Sequence, residues 1–166
     1  MNSDAILVKT GPWLHVMFAT ASDTCNLVWS LRQRTVDRTV SLKIRGKKSR
    51  DMSSMFNEFS AVLQFPYYFG ENWNALDECL NDLEWLPADN YVIFITDANH
   101  LLVDETPDDF RAIVSALEQA GQEWSDVRGK PFHVVLQAEP PESKQLRQKL
   151  QHGGFSCTEL FTGPLD

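Results

Sequence analysis

Tyr91-Val92-Ile93-Phe94-Ile95-Thr96 is a run of β-branched and aromatic residues with no polar residue before its last position. An exposed strand face would need alternation, and this run has none. It therefore reads as a strand covered on both sides. Phe132–Gln137 is a second run of the same kind. Between them lies a helix with a strong start. Thr106 is the N-cap, Pro107 stands at N1 and an acid follows at N3. Phe110, Ile113, Val114, Leu117 and Trp124 give that helix its apolar stripe. Strand, helix and buried strand in succession imply a parallel sheet in an α/β fold.

The rest of the chain repeats the alternation. Leu14–Ala19 reads as a strand, beginning near Pro12. Asp23 is placed to cap a helix through Cys25, Leu27, Val28 and Leu31. Thr39–Arg45 sets Val40, Leu42 and Ile44 toward one core, and Gly46-Lys47-Lys48 is a turn. Met55, Phe56, Phe59, Val62 and Leu63 recur at helical spacing over Ser53–Leu63, and Pro66 ends that element. Asn72 is an N-cap for a helix to about Glu84, with Trp73, Leu76, Cys79, Leu80 and Leu83 on its inner face. Pro140-Pro141 opens a polar helix to Gln151, closed by Gly153-Gly154, and Phe155–Phe161 is a final edge strand. The expected fold is a small parallel sheet flanked by helices.

With 166 residues, one domain is the simplest division. Glu139-Pro140-Pro141 is the only linker-like piece. No stretch approaches the roughly 18 apolar residues of a membrane span. The N-terminus lacks a basic segment followed by an apolar one, which predicts a cytoplasmic protein. Cys25, Cys79 and Cys157 are odd in number and far apart, so they read as reduced structural thiols.

Charge narrows the function. Residues 51–110 hold thirteen Asp or Glu and no Lys or Arg, whereas residues 1–50 carry a net +6 and residues 111–166 a net −1. A concentrated acidic field speeds encounter with a basic partner. It disfavours nucleic acid and anionic membranes. No phosphate loop, dinucleotide fingerprint, nucleophile elbow or zinc motif is present. His15, His100, His133 and His152 have no ligand spacing. Asp77, Glu78 and Asp82 are the one set of carboxylates that a hydrolase would use, and no basic substrate clamp accompanies them. The sequence thus points to no catalytic residue, no metal, no cofactor and no small-molecule substrate.

The acidic window has internal order. Positions 73, 76, 80 and 83 share one face of the helix. Asn74, Asp77, Glu78 and Asn81 share the opposite one. Before it, Phe65, Tyr67, Tyr68 and Phe69 crowd five residues, more aromatic surface than a connection requires. Phe65 and Phe69 are expected inward and Tyr68 outward, as an anchor beside a charged rim.

Phe65-Pro66-x-Tyr68-Phe69-Gly70-x-Asn72-Trp73-x-Ala75-Leu76 and Asp82-Leu83-x-Trp85-Leu86-Pro87 resemble the barstar family, the intracellular inhibitors of barnase-type ribonucleases. The resemblance runs from about Val40, through the Lys43–Lys48 strand and turn, to the Val134–Leu136 strand. Residues 1–38 would add a strand–helix extension, and residues 138–166 a helix and strand appendage. The resemblance implies an immunity protein or antitoxin of bacterial type. Its helix would plug a basic active site, with a carboxylate standing in for RNA phosphate. By position, Tyr68 matches the binding-loop tyrosine and Glu78 the key helix aspartate, longer here by one methylene. Asn74 stands where the family has its first helix aspartate. Asp77 stands where the best-known member has a bulky aromatic. A further family acid on the late helix falls at Glu118 or Gln119. The partner-binding set expected from wheel and resemblance together is Tyr67, Tyr68, Gly70, Asn74, Asp77, Glu78, Asn81 and Glu118. The alternative reading is an interaction or scaffold protein that keeps this fold without inhibiting a nuclease.

Overall fold

The computed structural model describes residues 3–160. Strands β1 (Leu14–Phe18), β2 (Thr39–Arg45), β3 (Asn90–Thr96), β4 (Phe132–Ala138) and β5 (Thr158–Leu160) form one parallel sheet in the order β2-β3-β4-β1-β5. Helices α1 (Ala21–Arg32), α2 (Met52–Leu63), α3 (Trp73–Asp82), α4 (Pro107–Arg128) and α5 (Ser143–Gly153) lie between them in sequence. This is the α/β class that the buried runs require. β3 and β4 are buried at every residue, and they lie inside the sheet. β2 is an edge strand. Its Ile44 is in the core, while Val40 and Leu42 pack at the core margin.

The sheet has two covered faces. On one, Ile93, Ile95, Val134 and Leu136 meet Phe59 of α2, Leu76 and Leu80 of α3, Phe110 and Leu117 of α4, and Leu146 of α5. On the other, Val92, Phe94 and Val135 meet Leu27 and Leu31 of α1 and Ile6 of a short N-terminal turn. Adjacent residues of one strand thus enter different cores, as the two-residue period of a strand dictates.

The N-terminal strand is interior. β1 sits between β4 and β5, in register from Leu14 against Val134 to Phe18 against Ala138. Two buried histidines cross this seam. His133 Nε2 lies 2.8 Å from the Val8 carbonyl, so it carries the donor proton. His133 Nδ1 then accepts from His15 Nε2 at 2.9 Å. Burial, and after it the neighbouring His133, push the His15 pKa down to about 4. Burial likewise holds His133 below its ordinary value.

Several boundaries differ from the sequence expectation. Thr20, not Asp23, caps α1: its hydroxyl accepts from the Asp23 N–H at 3.1 Å. Asp23 lies in the first turn, where a carboxylate is favoured by the helix dipole. β1 stops at Phe18, one residue short of Ala19. α3 ends at Asp82, two residues before Glu84, because Leu83 adopts left-handed backbone with φ 49°. Pro140-Pro141 form a tight 3-10 turn, and α5 begins only at Ser143. The last strand is confined to Thr158–Leu160, and Phe161 lies outside the described residues. Gly46 opens the turn after β2, where a Cβ would stand 2.3 Å from the Asp97 carbonyl oxygen. Cys25, Cys79 and Cys157 are free thiols. No described helix is long and apolar enough to cross a membrane.

Candidate functional site

The loop from Phe65 to Gly70 is a tight turn on an aromatic base. The Phe69 N–H donates to the Pro66 carbonyl at 2.9 Å, which puts Tyr67 and Tyr68 at the tip. Tyr67 is 100% exposed and Tyr68 64%. Beneath them Phe65 and Phe69 pack edge to face at 4.9 Å between ring centres. Phe56, Trp73 and Trp85 extend the cluster. Trp85 Nε1 donates to the Leu63 carbonyl at 2.9 Å and ties this layer to the end of α2. The inward phenylalanines and outward tyrosine are as the residue pattern indicated, and Tyr67 stands further out still.

The turn delivers the chain to α3 through two locked residues. Asn72 Oδ1 accepts from the Ala75 N–H at 2.9 Å, and Asn72 Nδ2 donates to the Gly70 carbonyl at 3.1 Å. A Cβ on Gly70 would lie 2.9 Å from that amide nitrogen, so a side chain there would displace the cap. Glu71 between them has left-handed backbone, φ 50°, which costs a non-glycine residue about 1 kcal/mol. Strain of this kind collects where a loop must aim a surface.

At its other end α3 is fastened to α4. Its last carbonyls lack helical partners. Trp124 Nε1 donates to the Leu80 carbonyl at 2.8 Å, and Arg128 donates to that of Asn81. The Arg128 guanidinium also stacks 4.1 Å over the Trp124 ring. With Leu76, Cys79 and Leu80 buried, one face of α3 is fixed and the other is left to solvent.

That outer face is acidic on both flanks. Glu78 is the ridge between two hollows. One, of about 180 Å³, is lined by Tyr68, Phe69, Ala75, Glu78, Cys79 and Asp82. The other, of about 430 Å³, is lined by Asp77, Glu78, Asn81, Gln119 and Glu123. None of Asp77, Glu78, Asp82 or Glu123 forms an ion pair among the described residues. Burial and this unpaired charge together act on neighbouring groups. Desolvation, and then Asp82, raise the Tyr68 phenol above its ordinary pKa. Burial, then Asp82 and Glu78, do the same to the Cys79 thiol. Asn81 Nδ2 donates to the Asp77 carbonyl at 2.9 Å, and its Oδ1 is buried without a partner. No group of three or more His, Cys, Asp or Glu side chains converges as a metal site among the described residues.

A barstar (barnase inhibitor) family model matches residues 39–137. The chain belongs to the barstar family. The match covers β2 through β4 and so includes the aromatic turn, α3 and α4. No curated protein matches the chain. Among solved structures it is similar to a chain of Drosophila ORC bound to AT-rich DNA and Cdc6, at 14% identity and TM-score 0.44. That alignment covers 90% of this chain and 50% of that one. A chain of Drosophila ORC bound to GC-rich DNA and Cdc6 gives 14% identity and TM-score 0.43, covering 88% and 48%. The chain spans about half the length of both.

Within this barstar-family body, the residues singled out from sequence divide. Tyr67, Tyr68, Gly70, Asn74, Asp77 and Glu78 are exposed on the turn and α3, and Asn81 is half-buried in the larger hollow. Glu118 is not in that hollow. Its charge acts on Cys157, whose thiol is raised to about 11, by burial first and Glu118 second. The α4 residues that line this hollow are Gln119 and Glu123. Glu123 was missed by the sequence reading. Its signal is the four-residue step from Gln119, along one flank of the buried Leu117, Ala120 and Trp124 stripe.

Proposed function

We propose that this protein inhibits a basic ribonuclease of the barnase type by occupying its active site. One observation carries the reading: Asp77 and Glu78 stand exposed beside two exposed tyrosines, on a braced helix, with no cation paired to them among the described residues. The family assignment supplies the partner class. A nuclease cleft built to hold RNA phosphates presents Arg and Lys. Carboxylates at fixed spacing satisfy those cations, and the tyrosines bury apolar area at the rim. Because α3 and the turn are already ordered, little conformational entropy is lost on binding. The contact set is Tyr67, Tyr68, Gly70, Asn74, Asp77, Glu78 and Asn81, joined by Gln119 and Glu123 across the groove. Glu118 is left out of it. The protein needs no cofactor for this and performs no turnover.

The differences from the family pattern bear on which nuclease is recognised. Glu78 carries its charge one methylene further out. Asn74 replaces a charge with an amide. Asp77 replaces an aromatic with a charge. Swaps of this kind redirect specificity while leaving the framework alone. The test is to titrate a basic barnase-type ribonuclease with the protein and follow cleavage of a fluorogenic RNA. Stoichiometric loss of cleavage supports inhibition. Undiminished cleavage by every basic ribonuclease that the protein binds contradicts it.

A further inference from the structure

Away from the acidic face, the start of α4 and the last turns of α5 enclose a cavity of about 380 Å³. Leu102, Val103, Pro107 and Phe110 give it an apolar floor, and Lys149 and His152 stand on its α5 side. Mostly apolar walls with a few placed polar groups are the usual composition of a small-molecule site of this size.

Lys149 makes the cavity chemically selective. Its Nζ donates to the main-chain carbonyls of Asn99 and Leu101. It also lies 4.3 Å from the centre of the Phe110 ring. All three partners are neutral. No carboxylate lies within ion-pair distance of Lys149 among the described residues. Glu105, the acid in the cavity wall, instead accepts from the Met52 N–H at 3.0 Å. A half-buried ammonium without a counter-ion is unfavourable. Burial accordingly pushes the Lys149 pKa down to about 8. An ammonium has three donors, and two are already used. One donor and one uncompensated charge remain beside an apolar floor.

We propose that this cavity binds a small organic carboxylate with an apolar body. Its head group would sit on Lys149 Nζ and its body against Phe110, Pro107 and Val103. A lone ammonium with one free donor suits a monoanion. It lacks the guanidinium fork that makes phosphate sites selective. The site is separate from the acidic face. Phe110 and Glu123 are thirteen residues apart on α4, or about 20 Å at 1.5 Å per residue. Its α5 wall also lies beyond the matched residues 39–137.

The test uses the full chain, isotopically labelled, with octanoate, octanamide, acetate and inorganic phosphate as probes at neutral pH. Octanoate is expected to move the amide signals of Leu102, Val103, Phe110 and the last turn of α5. It should bind roughly tenfold more tightly than octanamide, with acetate and phosphate far weaker. Lys149→Met keeps the apolar stem and should make octanoate and octanamide bind alike. Val103→Asp, at a position 37% exposed, removes an apolar contact for both probes and adds a like charge only against the carboxylate, so it should weaken octanoate more than octanamide. The proposal is overturned if octanoate leaves those signals unmoved or the amide binds as well as the acid. It is also overturned if phosphate matches octanoate, which would mark a site that reads charge without an apolar body.

Discussion

Two groups of carboxylates on this protein contrast. Around β2 and the turns that follow β2 and β3 they are paired: Asp37 with Arg34, Glu58 with Arg45, Asp97 with Lys47 and Asp104 with Arg50. On the α3 side, Asp77, Glu78, Asp82 and Glu123 have no such partner among the described residues. The paired ones hold structure. Glu58 is buried and accepts from the Arg45 main-chain N–H at 3.1 Å and from its guanidinium at 2.7 and 2.9 Å. The Arg45 guanidinium keeps its carboxyl below the usual range. Of the unpaired ones, Asp77 accepts a long bond from Asn81 Nδ2 at 3.4 Å, and none is tied to a cation among the described residues. On the proposed reading, this charge is left for a partner's cations.

The largest expected effect separates these populations by reversal. Asp77→Lys with Glu78→Lys should abolish inhibition of a basic ribonuclease, since attraction becomes repulsion at a desolvated contact. The thermal midpoint should hold or rise slightly, because like charges on one helix repel by a few tenths of a kcal/mol. A large fall in the midpoint would mean that these acids are structural after all.

Next in size is a pH effect confined to the framework. His15 has a folded pKa of about 4 against an ordinary value of 6.5. The unfolded chain therefore binds more protons between those values, and stability falls as pH drops through that window. The loss should reach about 2–3 kcal/mol by pH 4. It is measured by denaturant unfolding at pH 7, 5.5 and 4, and His15→Gln should flatten it. An equal slope in that variant would exclude the histidine pair as its source.

Ionic strength acts on the other population. Raising salt from low to physiological levels should slow association with the nuclease by about tenfold or more and change dissociation little. Stopped-flow binding measures both. A salt-independent on-rate would mean that the apolar turn, and not the acidic helix, governs encounter.

The smallest effect concerns Asn74, exposed on the first turn of α3. If the partner presents a cation there, Asn74→Asp should tighten binding by about 1 kcal/mol. A co-adapted partner would gain nothing. Affinities of the variant for barnase and for a cognate enzyme separate the two, and weaker binding to barnase would contradict the placement of α3.

The parts legible in sequence were those with local causes. β3 and β4 announced themselves because strands buried on both faces cannot alternate. Thr106 and Asn72 were readable as caps because a cap is a short-range hydrogen bond. The turn and α3 were readable for the same reason, as one contiguous segment. What sequence left unread depends on distant partners. The seat of β1 between β4 and β5 is settled by pairing across more than a hundred residues. The α4 contribution is a matter of register between two helices. The resemblance places a further acid at Glu118 or Gln119, whereas the Trp124 and Arg128 bonds to the end of α3 go with Gln119 and Glu123 lining the hollow. The α1 cap falls at Thr20 and not at Asp23, a three-residue shift that residue type does not decide because both types cap well.

The central claim is that the unpaired acids of α3 bind a partner while the paired Glu58 holds the fold. The most direct measurement compares Glu78→Ala with Glu58→Ala, taking both the inhibition constant against a basic ribonuclease and the unfolding free energy. Glu78→Ala should weaken inhibition by several kcal/mol, a range that the founding barnase–barstar pair helped to define, and leave stability within about 0.5 kcal/mol. Glu58→Ala should cost about 2–3 kcal/mol of stability and leave the inhibition constant unchanged under folding conditions. The opposite pattern, or a Glu78→Ala variant that inhibits as well as the native chain, would contradict the account.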